Sequence, residues 1–222
     1  MVDSAALAGF AGLLADQTRA AMCLALLNGK PWTMGQLAKH AGVAPSTASA
    51  HLTLLVAGGM LADEHKGRHR YLRLADRKMA GLLEDILSHI DSVEPKAAMA
   101  RARTCYDHIG GELGVAISDA MLRQKLIVDS GFALTKDGLA WLEQVGVDVA
   151  ALQATRRTLA RPCLDWTERR FHLAGAAGAA LCRTAFDSGW IERTKSERAL
   201  RLTPAGTAAF AGLLGVTPES LS

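Results

Sequence analysis

Two groups of residues in this 222-residue chain have types and spacings that suit particular chemistry. The first runs from Pro45 to Arg70. Pro45, Ser46, Thr47, Ser49, Ala50, His51 and Thr53 are small or polar and fall away from the apolar side formed by Ala48, Leu52 and Leu55. A helix fits the ~12 Å major groove of B-DNA, and short polar side chains near its N-terminal end reach base edges. The following segment His65–Arg73 carries four Lys/Arg, two His and no acid, and its Lys66, Arg68, His69 and Arg70 suit phosphate or minor-groove contact. A solvated Ser/Thr face beside a charged hairpin edge is the plainer explanation of each feature alone; their order and spacing favour DNA.

The second group is Cys105, His108, Cys163, Asp165, Trp166 and His172. Thiols and imidazoles together suit a metal, a small ligand or a reactive electrophile. Cys105 and His108, three residues apart, are expected on one helix face. Arg103 and His108 beside Cys105, and Arg161 beside Cys163, are the groups expected to lower a thiol pKa. The competing account is that free cysteine fills apolar space and that Asp107 and Asp165 cap turns or face water. A third pair, Asp85 and His89, stands at i, i+4. It is a weak metal candidate and reads better as an exposed helix pair.

The elements that must position these groups follow from periodicity and turn chemistry. Leu7, Phe10, Leu13 and Leu14 suggest a first helix, and Asp16 caps a second that buries Met22, Leu24, Leu26 and Leu27 and stops at Asn28-Gly29. Thr33 caps a short helix to His40, Gly42 makes the turn, and Pro45 opens the helix that reaches Ala57. After Gly58-Gly59 come two strands around a tip at Lys66-Gly67-Arg68, then an amphipathic helix from Asp76 to about Ser92. This order is a winged helix-turn-helix, expected over residues 1–95 as a DNA-binding and dimerisation domain, with the Leu7–Leu14 and Asp76–Ser92 helices as the subunit interface.

Beyond Glu94-Pro95 the chain resembles itself. His108–Ile117 matches His172–Leu181 at an offset of 64, and Ala133-Leu-Thr-Lys-Asp-Gly138 matches Arg201-Leu-Thr-Pro-Ala-Gly206 at an offset of 68. Residues 96–222 therefore read as a tandem duplication with copies at about 104–150 and 162–218. Each copy is expected to be helix, hairpin, helix, with glycines at i and i+3 (Gly111/Gly114, Gly175/Gly178) letting two helices approach. The Leu-Thr-x-x-Gly element also resembles a wing-to-helix join. The fold class expected for the whole chain is mainly α with short β-hairpins.

Composition narrows the rest. Half the residues are hydrophobic, which is too apolar for a disordered chain, and no uncharged apolar run approaches the ~18–20 residues of a membrane span. Lys+Arg 25 against Asp+Glu 22 gives only +3, so a polyanion would be met locally, not by bulk charge. The four cysteines have no zinc-ribbon spacing, and with no basic leader at the N-terminus they are expected as reduced thiols in the cytoplasm. No phosphate loop ends the Gly175–Gly178 stretch and no Gly-x-Ser-x-Gly occurs, so neither a nucleotide enzyme nor a serine hydrolase is expected, and no cofactor is expected.

Ala15-Asp-Gln-Thr-Arg19, Gln36-Leu-Ala38, Ser46–Leu52, Leu55–Leu61 and Lys66–Leu74, in that order, resemble the ArsR family of bacterial transcription regulators over about residues 5–95. The resemblance implies a homodimeric winged-helix repressor that binds an imperfectly palindromic double-stranded operator and is released by an effector. Many relatives sense soft metals through Cys-x-Cys on the helix before the turn; the matching stretch here, Thr33–His40, has no cysteine. Ala44 stands where the family often has a capping Ser. The effector is therefore expected to act through the duplicated region as a small molecule, a metal or an electrophile. A protein-interaction module without DNA binding is the competing reading, and the basic hairpin argues against it.

Overall fold

Caps written into the sequence start most of the helices of the N-terminal unit. The computed structural model describes residues 3–66, 69–90, 97–195 and 198–221 and divides into two compact units, Met1–Leu83 and Glu84–Ser222. Helix α1 (Ser4–Gly12) opens with Asp3 accepting from Ala5 N at 3.0 Å, and α2 (Gln17–Ala25) with Asp16 accepting from Arg19 N at 2.9 Å. The strand β1 (Trp32–Thr33) leads into α3 (Met34–Ala41), where Thr33 and Gln36 form a reciprocal capping box. Gly42 ends α3 at φ +67°, a backbone that favours glycine, and the chain turns into α4 (Pro45–Ala57). Pro45 occupies the first turn of α4, and Ala44 gives it no side-chain cap.

The antiparallel wing follows as β2 (Leu61–Lys66) and β3 (His69–Leu74), paired from Leu61↔Leu74 to Lys66↔His69, with β1 on the other side of β3. Residues 67–68, and with them Arg68, lie outside the described residues, as do the side chains of Lys66 and His69 and the expected domain boundary at residue 95. Asp76 caps the last helix of this region, α5 (Arg77–Ser88), which ends short of the expected Ser92. Met22, Leu26, Leu27, Leu37, Leu52, Leu55, Met60 and Leu72 form the core of the N-terminal unit. Met22, Leu26 and Leu27 are buried as expected, but Leu24, expected inside, is 36% exposed, because it lies off the side on which Met22, Cys23 and Ala25 are buried. Helix α1 buries none of its residues, and Leu7 is 64% exposed.

The C-terminal unit starts with α6 (Ala97–Arg101) and then runs twice through one order of elements. A hairpin, β4 (Arg103–Cys105) and β5 (His108–Gly110), is followed by α7 (Glu112–Arg123), a single β-bridge between Ile127 and Leu134, and α8 (Lys136–Gln144). After α9 (Val149–Gln153) come β6 (Arg161–Leu164), β7 (Phe171–Ala174), α10 (Gly175–Asp187), the hairpin β8 (Ile191–Arg193) and β9 (Leu200–Leu202), and α11 (Pro204–Leu214). The stretch from Cys105 to His108 is thus a hairpin and not the expected helix. The reason is the Tyr106-Asp107 turn, where Tyr106 takes φ +57° and no helix can continue.

Of the matched glycines, Gly111 stands against helix α6, where a Cβ would lie 2.3 Å from Ala100 O, while Gly114 and Gly178 act differently from the expectation. A Cβ on Gly114 would stand 2.3 Å from Ile109 O, and one on Gly178 would stand 2.5 Å from Leu173 O. They admit the end of the preceding strand against the helix, not a second helix. The two Leu-Thr-x-x-Gly elements behave alike: Thr135 caps α8 and Thr203 caps α11, each hydroxyl also donating to a carbonyl of the preceding segment, at 2.8 Å to Lys125 O and 2.7 Å to Gly189 O. A Cβ on Gly138 would meet Leu126 O at 1.9 Å and one on Gly206 would meet Trp190 O at 2.0 Å. The core joining all this includes Leu113, Ile117, Met121, Leu142, Leu173, Leu181 and Phe210.

Three stability changes follow, each to be read by chemical denaturation. Ala44→Ser supplies the missing cap of α4 and should stabilise by about 1 kcal/mol. Gly206→Ala should cost about 1–3 kcal/mol because backbone must move to admit the methyl. Gly212→Ala, in the same helix with nothing within 4 Å of the new methyl, should gain up to about 1 kcal/mol.

Candidate nucleic-acid interface and a buried cysteine–histidine cluster

Helix α4 separates its sides as the sequence suggested. Ala48, Leu52 and Leu55 are buried, while Pro45, Ser46, Thr47, Ala50 and Thr53 are exposed and Ser49 is half-buried. Thr53 Oγ1 donates to Ser49 O at 2.9 Å, so its hydroxyl proton is already used within the helix. His51 is turned inward, half-buried, with Nδ1 3.8 Å from Asp16 Oδ1 at the start of α2; of the candidate DNA-facing residues it is the one drawn toward the domain. On the wing, Arg70 is held by Asp63, Nε to Oδ2 at 2.8 Å, across the β2–β3 pair. Arg73 donates to Ala75 O at 3.0 Å, pinning the exit of β3. The helix face offers donors and acceptors, and the wing offers cations, one of which is partly neutralised.

The second group assembles in the C-terminal unit from two hairpins. In β4–β5 Cys105 is the cross-strand partner of His108, and in β6–β7 Cys163 is the partner of His172. Partners in an antiparallel pair stand side by side on one face, so each hairpin presents a thiol beside an imidazole although the sequence spacings are three and nine residues. The hairpins meet with Cys105 Sγ 3.8 Å from Cys163 Sγ and His108 Nε2 3.1 Å from His172 Nε2. One ligand atom from each of the four lies within 4.8 Å of all the others, and all four residues are buried.

Behind each imidazole stands a carboxylate paired with an arginine. His172 Nδ1 lies 3.1 Å from Asp165 Oδ2, off the line of a good hydrogen bond, and Asp165 Oδ1 accepts from Arg103 Nη2 at 2.8 Å. Asp165 Oδ2 also accepts from Gly111 N at 2.7 Å, and Oδ1 from Thr167 Oγ1 at 2.7 Å. His108 Nδ1 lies 3.4 Å from Asp107 Oδ1, and Arg157 grips both oxygens of Asp107 at 2.8 and 3.1 Å. Trp166 lies under the Arg103 guanidinium, 4.6 Å from ring centroid to Cζ, so it covers one face of the Arg103–Asp165 pair.

Electrostatics follow this geometry. Burial opposes a charged His172 ring, but contact with Asp165 and the Cys105 sulfur outweighs it and pushes the pKa up to about 9. Burial would raise Asp165, yet His172 and Arg103 hold it well below the carboxylate range. Asp107 is likewise held low against burial by His108 and Arg157. The Cys163 thiol and burial push Cys105 upward, opposite to the lowering expected from neighbouring cations: the Arg103 guanidinium points to Asp165 and leaves the sulfur.

A helix-turn-helix domain model matches residues 14–64. An uncharacterized HTH-type transcriptional regulator of Bacillus subtilis, YdfF, is 36% identical over 220 residues, covering 95% of this chain and 97% of its own. The chain belongs to the HTH-type transcriptional regulators. This membership agrees with the ArsR resemblance of the N-terminal region, and the YdfF match spans the C-terminal unit as well. CmtR of Mycobacterium tuberculosis, another HTH-type regulator, is 36% identical over 96 residues, 42% of this chain and 80% of CmtR. Among solved structures, the homodimeric winged helix-turn-helix DNA-binding domain of a possible ArsR-family regulator from Mycobacterium bovis is 25% identical, covers 40% of this chain and 89% of that one, and has a TM-score of 0.35.

The regulator therefore carries a DNA-binding helix-turn-helix domain and a second unit with a buried cluster of thiols, imidazoles and carboxylates. Asp85, on α5, and His89, one residue past its end, are both exposed and join no metal-capable group among the described residues. Sequence reasoning missed Arg157, which lies 50 residues from Asp107 with no motif to connect them. It also missed the buried ion pair of Glu84 with Arg198. Asp165→Ala should destabilise the chain by about 3–5 kcal/mol in thermal or chemical denaturation, because it strands a fully buried guanidinium.

Proposed function

We propose that the protein is a sequence-specific repressor acting in the cytoplasm as a homodimer, with α4 as its recognition helix, β2–β3 as its phosphate-gripping wing and the C-terminal unit as the place where an effector acts. The observation that carries this reading is the exposed N-terminal half of α4, where Pro45, Ser46, Thr47 and Ala50 face outward on a helix whose other side is fully packed. Nothing longer than Thr projects there, so the helix backbone can sit deep in a groove.

A second copy of the chain suits the apolar surface left on α1 and α5. Leu7 is 64% exposed, and Leu82 and Ile86 are 38% and 39% exposed on α5. Large side chains so exposed favour burial against a partner. A two-fold dimer would set the two recognition helices about one DNA turn, ~34 Å, apart and call for an imperfectly palindromic operator. The residues 96–222 are read as a duplicated effector-sensing domain, and the paired Thr caps and glycine contacts of α8 and α11 support that reading. Cys105, His108, Cys163, Asp165 and His172 are its sensing candidates, because they are the group in that unit where metal-binding or reactive side chains converge.

Binding to a palindromic fragment from its own promoter, followed by fluorescence anisotropy, tests the proposal. If each protomer neutralises about three phosphates, log affinity should fall with log salt at a slope near about −5, and a salt-independent or absent interaction would overturn the reading. Thr47→Ala should change base preference at one position by about 1–3 kcal/mol, whereas Arg70→Ala should weaken all sequences alike. Asp63→Asn should strengthen binding to random duplex, since it releases Arg70 and removes an acid from the wing. Leu82→Glu should shift the protein toward monomer in analytical ultracentrifugation and lose operator affinity with it.

A further inference from the structure

We propose that Cys105, His108, Cys163 and His172 bind one zinc-class divalent cation in a closed tetrahedral site that ties the β4–β5 and β6–β7 hairpins of the C-terminal unit together. The distances match the ion. Zinc binds thiolate sulfur at about 2.3 Å and imidazole nitrogen at about 2.0–2.1 Å, so the edges of a regular tetrahedron are about 3.8 Å between sulfurs and about 3.3 Å between nitrogens. The Sγ–Sγ distance is 3.8 Å and the Nε2–Nε2 distance is 3.1 Å.

The carboxylates behind the two rings suit a bound cation as well. Each Nδ1 faces a carboxylate, Asp107 or Asp165, so on binding a cation each ring would keep one proton on Nδ1 and give its Nε2 lone pair to the ion. Carboxylates behind ligating histidines are the usual device for fixing that ring orientation. Charge is consistent too: on binding, the thiol protons leave to solvent, and two thiolates balance a divalent ion, so the filled site is neutral where no water reaches it. Soft sulfur and imidazole donors with no carboxylate among the four exclude calcium and magnesium. Four protein ligands leave no open position, so this is a clamp and not a catalytic metal.

The ion assignment needs nothing from the DNA-binding reading; failure of either leaves the other standing. The test uses the full chain, purified without chelator, with metal content measured by mass spectrometry. One zinc per chain is expected, kept in Cys23→Ser and Cys182→Ser and lost in Cys105→Ser and Cys163→Ser. Cobalt added to chelator-stripped wild-type chain gives a second readout that does not depend on the last two variants folding. A sulfur-to-cobalt charge-transfer band with the intense visible bands of tetrahedral cobalt, both abolished by one equivalent of zinc, supports the site. Asp107→Asn should keep one ion per chain but weaken zinc about 10–100-fold, as loss of a ring-orienting carboxylate does. A wild-type chain that holds no metal and gives no cobalt bands, or a Cys105–Cys163 disulfide in the freshly isolated protein, would overturn the assignment.

Discussion

Burying the Arg103 guanidinium and the Asp165 carboxylate at zero exposure costs several kcal/mol per charge unless each finds its partner and its remaining hydrogen bonds. The C-terminal unit is arranged around meeting that demand. Asp165 takes Arg103 from β4, the amide of Gly111 at the start of α7, and the hydroxyl and amide of Thr167 in its own turn. Arg103 reaches Met99 O and Thr167 as well, and its flat face rests on Trp166. One ion pair thereby connects the first hairpin, the second hairpin and a helix N-terminus, and the position of His172 follows from it. Shifting the pair by an ångström would misalign the imidazole and with it the four-residue cluster.

Among its described residues the N-terminal unit has no such centre. Its geometry rests on short-range devices, the Asp16 cap, the Thr33–Gln36 box, Gly42 and Pro45, each acting within one turn of helix. They hold α3 and α4 at a tight turn while Ala48, Leu52 and Leu55 anchor α4 to the core. Rigidity on the inner side is what lets the outer side carry only small polar groups, since those groups add no packing of their own. His51 marks the limit of that division, being drawn to Asp16 and so serving the domain more than the groove.

The two units thus show different kinds of legibility. Most helix starts, the wing and the buried side of α4 could be read directly, because caps, turn residues and apolar periodicity act over short stretches of chain. Where the reading went astray it did so through orientation: Leu24 and Cys23 exchanged places on α2, and Cys105 with His108 looked like neighbours on a helix. Strands of three or four residues such as β4 and β7 leave almost no alternation to detect. The Tyr106-Asp107 turn, with a non-glycine residue at positive φ, gives no compositional warning of a hairpin.

The sequence by itself determined that this is a winged helix-turn-helix regulator with a self-similar extension, because caps, glycines and apolar periodicity act locally and leave their marks in order along the chain. Only the tertiary structure decided what the extension's cysteines and histidines do together. Their meeting depends on cross-strand register in two hairpins and on a buried salt bridge spanning 62 residues, from Arg103 to Asp165. Register and burial are long-range quantities, set by what packs against each strand, and no spacing in the chain encodes them.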